Sequence, residues 1–267
     1  MLIDSHCHLD FPELANDEAG VLARARAAGV SGMLTIGTRL DQFERVRAIA
    51  ERHENVWCSV GVHPHEAKEE GQHAPDRLVE ATRHPKVVGI GETGLDFYYE
   101  HSPRDEQVES FRTHIAAARE TGLPLIVHTR DADAETGEIL EEEFRKGAFT
   151  GLIHCFSSGP DVARRALALG LYISISGIVT FKAAEPLRAI VRDIPLDRLL
   201  VETDSPYLAP VPKRGKTNEP AFVAHTAARV AELKGIDMTE LGAATTDNFF
   251  RLFAKAQRAQ AERAQCG

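Results

Sequence analysis

The chain has 267 residues, 43% of them apolar and 27% charged, an ordinary balance for a globular protein. No run of about 18 apolar residues exists, which excludes a membrane-spanning helix, and no basic segment followed by an apolar run opens the chain, so no secretory signal and a cytoplasmic location are expected. A formal net charge of −9 argues against a protein that coats long stretches of nucleic acid, but not against an enzyme that grips a nucleic-acid end at a small site.

In chain order, apolar β-rich runs predict strands over Met1–His6, Val30–Ile36, Val56–Val62, Val87–Gly91, Leu125–His128, Gly151–Cys155, Leu171–Ser176 and Leu199–Thr203. Helical patterns lie between them. Ser102-Pro103-Arg104-Asp105 reads as a capping box with Pro at the first helical position. Val108, Phe111, Ile115 and Ala118 follow at helical spacing, and Gly122 with Pro124 ends the segment. Pro160 to Leu169 repeats the scheme and Gly170 closes it. Helices are also predicted over Glu219–Leu233 and Met238–Phe253, with a polar, fraying helical tail from about Ala254. Strands alternating with helices mean βαβ units, and eight of them predict a closed (β/α)8 barrel. A doubly wound sheet is the rival, but no GxGxxG follows the first strand. No linker or composition shift interrupts the chain, so a single domain over 1–267 is expected. Cys7, Cys58, Cys155 and Cys266 lack CxxC spacing and read as free thiols of a reducing compartment.

The first strand ends in "DSHCHLD", Asp4 to Asp10. Residues two apart in a strand share a face, so His6 and His8 point one way and Cys7 the other. Neutral imidazoles are common metal ligands. Further polar residues stand at or just past the predicted strand ends: His63, Glu92, His128, His154 and Asp204. In a barrel all such ends converge on one face, where active sites sit. Singly, each has a plainer explanation: a hydrogen-bonded core histidine, a cap, a turn former before Pro206. Together, His6, His8, Glu92, His128, His154 and Asp204 bring four imidazoles and two carboxylates to one rim without a lysine or arginine among them. Buried charges are paired or metal-bound, so two divalent cations are expected. Glu92 would bridge, His6, His8 and Asp204 would complete one ion, and His128 and His154 the other. Imidazole-rich donors favour Zn, Mn, Fe or Co over Mg, which prefers oxygen, although Mg remains possible. Paired metals of this kind activate water and steady the leaving oxygen of an ester. Glu92 and Asp204 are the expected catalytic carboxylates, with Asp204 orienting the water and taking its proton.

At these residues the chain resembles the TatD-like metal-dependent hydrolases, within the amidohydrolase-type barrels. "LIDSHCHLD", "GIGETGLDFYY", "PLIVHTRDAD", "IHCFSS" and "LLVETDSPYLAP" carry the resemblance over nearly the whole length. It implies a (β/α)8 barrel, divalent metals and phosphodiester hydrolysis, typically deoxyribonuclease action with exonuclease character on single-stranded DNA ends. It does not fix the physiological substrate.

Other residues suit a phosphate. His63, in "GVHPHEA", is expected to contact phosphate or the leaving group, with a structural turn histidine as the alternative. Arg130 can offer a bidentate fork or pair with Asp131 or Asp133. Lys213, Arg214 and Lys216 form the densest basic run, in a Pro/Gly-rich loop suited to steering a phosphate. Phe97, Tyr98 and Tyr99 can stack on a base or pack the loop. The rival activities are hydrolysis of a small-molecule ester or amide, or of aminoacyl-tRNA. A non-catalytic metal- or nucleic-acid-binding protein is a third class. Oligomeric state is not legible.

Overall fold

The computed structural model describes residues 1–70 and 74–257. Eight strands form one parallel sheet in sequence order: β1 Leu2–Cys7, β2 Val30–Thr35, β3 Val56–Val60, β4 Val87–Asp96, β5 Leu125–Arg130, β6 Gly151–Ile153, β7 Tyr172–Ile175 and β8 Leu199–Val201. The helices are α1 Pro12–Ala15, α2 Glu18–Ala27, α3 Phe43–Arg52, α4 Ala67–Glu70, α5 Ala74–Ala81, α6 Arg104–Thr121, α7 Asp133–Lys146, α8 Pro160–Ala168, α9 Glu185–Asp193, α10 Val223–Lys234 and α11 Met238–Leu252. At least one helix fills every connection between strands except where β8 runs on to α10 and α11. The ring closes between β8 and β1. Cys7 bridges Ser205 in parallel, His8 N donates to Ser205 O at 2.8 Å, and Asp204 N donates to His6 O at 2.9 Å. This is the (β/α)8 barrel. No helix among the described residues is long and apolar enough to cross a membrane.

Two hydrophobic layers hold the barrel. One lies between strands and helices and includes Val21, Val46, Phe111, Ile139 and Val191. The other draws one residue from each strand: Ile3, Leu34, Trp57, Val88, Ile126, Leu152, Tyr172 and Leu200. Phe249, Leu252 and Phe253 of α11 and its end close this second cluster, so α11 stoppers the N-terminal end of the barrel. Trp57 meets Phe249 at 5.6 Å between ring centroids and Phe250 at 5.8 Å. With that end sealed, the opposite rim is left for chemistry.

The strand ends differ from expectation in an informative way. β4 and β5 run on together to Asp96 and Arg130, past the predicted ends at Gly91 and His128. "GETGLD" looks like a loop because of its glycines. Gly94 is instead demanded by the close approach of β5: its φ is +137°, and a Cβ there would lie 2.0 Å from His128 O. Ser102 does not cap α6. The N-cap is Pro103, without a side-chain cap bond, and Ser102 Oγ donates to His65 O and accepts from Lys68 N. Residues 254–257 are helical and docked instead of fraying. Ala256 is fully buried, and Lys255 Nζ donates to the carbonyls of Thr82 and His84. The rest of the expected tail, and Cys266, lie outside the described residues.

Candidate metal centre

The strand period explains how the donors reach the rim. On β5, β6 and β8 the stopper residues are Ile126, Leu152 and Leu200. His128, His154 and Glu202 stand two positions further on, and Asp204 four. On β4, Glu92 stands four positions after Val88. His128, His154 and Glu202 therefore point inward, above the apolar floor, while Glu92 follows a register shift in β4 and Asp204 lies past the end of β8. β1 breaks the count, because Ile3 belongs to the floor while His6 and His8 have the opposite parity. The register of β1 on β2 shifts between Asp4 and Cys7. Such irregularities re-aim side chains beside active sites. Ser5 thus still bonds Ser174 Oγ at 2.9 Å, Cys7 joins the outer core, and both imidazoles turn inward.

Glu92 is the hub and is 3% exposed. Its Oε1 lies 2.7 Å from His154 Nε2, 3.0 Å from His128 Nδ1 and 3.5 Å from His63 Nε2. Its Oε2 lies 3.3 Å from His6 Nε2. Asp204 Oδ1 is 3.5 Å from His8 Nε2 and 3.7 Å from His6 Nε2. The His6 and His154 rings stack at 3.9 Å. All six predicted ligand residues thus meet in one place.

Three donor groups have ligand atoms mutually within 4.8 Å: His6, His8 and Glu92; His63, Glu92 and His128; His6, His154 and Glu202. The first two share Glu92, so the histidine and glutamate clusters overlap as two metal positions. The unpaired atoms fit that use. His6 Nδ1 and Nε2, His8 Nδ1 and Glu202 Oε2 are buried without a hydrogen-bond partner. Buried polar atoms are rarely left so, and a divalent cation accepts lone pairs of this kind.

The electrostatics are those of a crowded cage. Burial alone would push the Glu92 carboxyl up, but His154, His63 and His6 outweigh it and hold it well below the usual range. Burial opposes charge on His154, yet Glu92 and Glu202 raise it well above an ordinary imidazole. Burial keeps His63 well below its ordinary value. For Asp204, burial is outweighed by His8 and His6, and its carboxyl is held down.

The expected phosphate contacts fall around this cage. His63 stands against Glu92 itself, closer in than a peripheral contact, with Nδ1 accepting from His65 N at 3.1 Å. Arg130 is exposed and makes no ion pair with Asp131 or Asp133; its guanidinium lies over the rings of Tyr98 and Tyr99 at 4.1 and 4.7 Å. Lys213 sits over Phe222 at 5.0 Å and Arg214 over Phe181 at 4.0 Å. Lys213, Arg214 and Lys216 have no carboxylate partner among the described residues. Asn218 ties their loop to the Asp204 turn by donating from Nδ2 to Thr203 O at 2.9 Å. Phe97 is partly buried in the outer core, with Arg104 over its ring at 4.2 Å, and is no rim residue.

Sequence reading missed two carboxylates. Asp96 Oδ2 accepts from His128 Nε2 at 3.2 Å and His65 Nε2 at 3.0 Å. Glu202 Oε1 lies 3.3 Å from His154 Nδ1 and accepts from Cys155 N at 2.7 Å. Each backs a cage imidazole on the nitrogen turned away from Glu92. Glu202 was available from the strand period, two residues before Asp204, whereas Asp96 lies in the stretch that reads as a loop.

A parallel eight-stranded barrel with a histidine and carboxylate cage on the rim opposite its stopper helix is the signature of a metal-dependent hydrolase of the amidohydrolase type. The comparisons make the assignment narrower. The family model "TatD related DNase" matches residues 3–254, and the chain belongs to the TatD family. It is 48% identical over 255 residues to the Escherichia coli K12 protein named uncharacterized metal-dependent hydrolase YcfH, covering 94% of this chain and 95% of that one. It is 39% identical over 262 residues to the Enterobacter lignolyticus protein named 3′-5′ ssDNA/RNA exonuclease TatD, covering 96% of this chain and all of the other. The crystal structure of the Escherichia coli TatD homologue YjjV superposes with a TM-score of 0.88 at 30% identity, covering 95% of this chain and 98% of that one.

Proposed function

We propose that this metal-dependent hydrolase cleaves phosphodiesters, removing nucleotides from the ends of single-stranded DNA. The observation that carries the reading is the placement of unpaired basic groups around the cage. Among the described residues, Arg130 and the Lys213–Arg214–Lys216 loop have no acidic partner, in an otherwise acidic protein. The relative named as a 3′-5′ ssDNA/RNA exonuclease supports attack from the 3′ end.

His6, His8, Glu92 and Asp204 would hold one cation, and Glu92, His128 and His154 the other. Zinc, manganese, iron and cobalt suit these donors better than magnesium. When bound, the ions lower the pKa of water and polarise the phosphoryl group. The protein's own groups do the rest. Glu92, held ionised among imidazoles, keeps both positions in fixed relation. Asp204, 14% exposed and so the outermost carboxylate of the cage, can accept the proton of the attacking water. Arg130 would present a planar fork to phosphate, His63, 3.5 Å from Glu92 Oε1, would contact the phosphate or its leaving oxygen, and the 213–216 loop would attract the polyanion.

The test is incubation of metal-loaded protein with 5′-labelled single-stranded and duplex DNA and, separately, with p-nitrophenyl acetate. A ladder shortening stepwise from the single-stranded 3′ end is expected, and Glu92→Gln should remove it. Hydrolysis of the acetate with both DNAs left intact would overturn the reading.

A further inference from the structure

The chain has four tyrosines. Three of them are half-exposed or more: Tyr98 at 57%, Tyr99 at 50% and Tyr207 at 53%. All three stand on the rim that carries the cage, in the loops following β4 and β8. Exposed apolar surface concentrated at one site marks a place where something binds.

Together with Phe11, these three rings form two walls. On one side Phe11 lies flat against His8, with centroids 4.7 Å apart and planes at 21°. Tyr207 stands near-perpendicular to Phe11 at 6.1 Å and to His8 at 6.4 Å. On the other side, Tyr98 and Tyr99 meet edge to face at 4.8 Å and share the Arg130 guanidinium. Ring stacking occupies the guanidinium face and leaves its in-plane N–H groups for an acceptor. The first wall follows β8 and β1, and the second follows β4 and β5. These pairs are diametrically opposite in a ring ordered β1 to β8. The cage therefore lies between two aromatic walls.

We propose that the walls are nucleobase-stacking subsites on the two sides of the scissile phosphate. Phe11 and Tyr207 take one base, Tyr98 and Tyr99 take the next, and Arg130 grips the adjoining phosphate. The inference deepens the nuclease reading and rests on it. The substrate is then an unpaired strand of at least two nucleotides, because a base held in a duplex cannot turn its face to a tyrosine. Charge complementarity selects this occupant: Arg130 lies over the Tyr98 and Tyr99 rings, the basic 213–216 loop runs on to Asn218, which donates to Tyr207 O, and neither has an acidic partner among the described residues, which suits a polyanion and not a neutral aromatic ester.

The experiment compares kcat/KM for nucleotide release from a single-stranded oligonucleotide with that from the same oligonucleotide carrying tetrahydrofuran in place of the terminal or the penultimate nucleoside base. Stacking at about 1–3 kcal/mol per base predicts losses of roughly 5- to 150-fold for each base removed. Tyr207→Ala should lose a similar factor on the natural strand and become insensitive to base removal at one of the two positions. Tyr98→Ala combined with Tyr99→Ala should become insensitive at the other, and Tyr207→Phe should retain discrimination. If wild type cleaves natural and tetrahydrofuran strands equally, the stacking proposal falls while the nuclease reading stands. Equal losses on all substrates in the alanine variants would make the tyrosines structural and also overturn it. If wild type cleaves no oligonucleotide, both fall.

Discussion

Asp96→Asn separates a donor's identity from its orientation. Asp96 is 1% exposed. Its Oδ1 accepts from Tyr98 N at 3.1 Å and Tyr99 N at 2.9 Å, and its Oδ2 faces the Nε2 atoms of His128 and His65. Gln107 fixes its backbone, accepting from Asp96 N at 2.8 Å. A neutral imidazole has one N–H and one lone pair. With a carboxylate behind it, His128 carries its proton on Nε2 and turns the Nδ1 lone pair towards Glu92, 3.0 Å away. In the asparagine variant the two backbone N–H groups still need an acceptor, so the amide oxygen stays with them and its NH2 faces His128. The imidazole must then accept at Nε2 and move its proton to Nδ1, where it blocks ligation. Loss of an outer partner of this kind costs about 10- to 100-fold in metal affinity, or roughly 1.4–2.7 kcal/mol. Alanine would in addition strand two backbone donors, at about 1–3 kcal/mol each. Equilibrium dialysis with elemental analysis should therefore show Asp96→Asn retaining one ion tightly and the second weakly, with a thermal midpoint within a few degrees of wild type. Undiminished affinity for both ions would refute the tautomer argument. So would loss of metal only in step with loss of fold.

Two further outcomes follow from the buried groups. Chelation should lower the thermal midpoint, because ions that bind only the folded cage stabilise it by about 2.7 kcal/mol each at 100 times Kd; at roughly 2–4 °C per kcal/mol, two ions are worth on the order of 10–20 °C in a scan with and without chelator, and an unchanged midpoint would remove the cage as a cation site. His114 is fully buried, with Nδ1 donating to Ser110 O at 2.7 Å and Nε2 accepting from Val62 N at 2.9 Å, and burial holds its pKa down to about 4 against the ordinary 6.5. Between those values the unfolded chain binds the extra proton, so this stability is fully present above pH 6.5 and is lost as pH falls towards 4, to the extent of about 3 kcal/mol. Urea titrations of chelated protein across that range should show a shallower loss in His114→Gln than in wild type, and identical slopes would contradict the assignment.

Much of this barrel is legible because each strand is a short apolar run and period two then dictates which polar residues face inward. His128 follows Ile126, His154 follows Leu152, and Asp204 follows Leu200 at even spacing. Two features escape that logic. The inward turn of both His6 and His8 depends on a register shift in β1 that no local pattern announces, since parity from Ile3 would send them outward. The extension of β4 to Asp96 is masked by Gly91 and Gly94, which read as loop punctuation but are there because β5 passes too close for a side chain. Reading that stretch as a loop also hid Asp96, whose role depends on its belonging to the same strand as Glu92. Ser102 misled for the opposite reason. Its position suits a cap, but the His65 carbonyl and the Lys68 amide, distant in sequence, claim its hydroxyl.

Counting charges with the two missed carboxylates included strengthens the case for two ions. Glu92, Asp96, Glu202 and Asp204 are buried or nearly so, and their ion pairs are to histidines. Asp4 is set apart, since burial pushes it up to about 8, and Thr203 donates to it from N at 2.8 Å. Carboxylates ringed by imidazoles can find countercharge in two ways. Protonated histidines would supply part of it, since neighbouring carboxylates raise His8, His128 and His154, but burial drives His6 and His63 below their ordinary values, and the stacked His6 and His154 rings do not both carry charge. Two divalent cations would supply it with every imidazole neutral. They would also engage imidazoles whose ring nitrogens, His6 Nδ1 and Nε2 and His8 Nδ1, have no hydrogen-bond partner among the described residues. The second solution supplies the countercharge and also a partner for the unpaired ring nitrogens of His6 and His8.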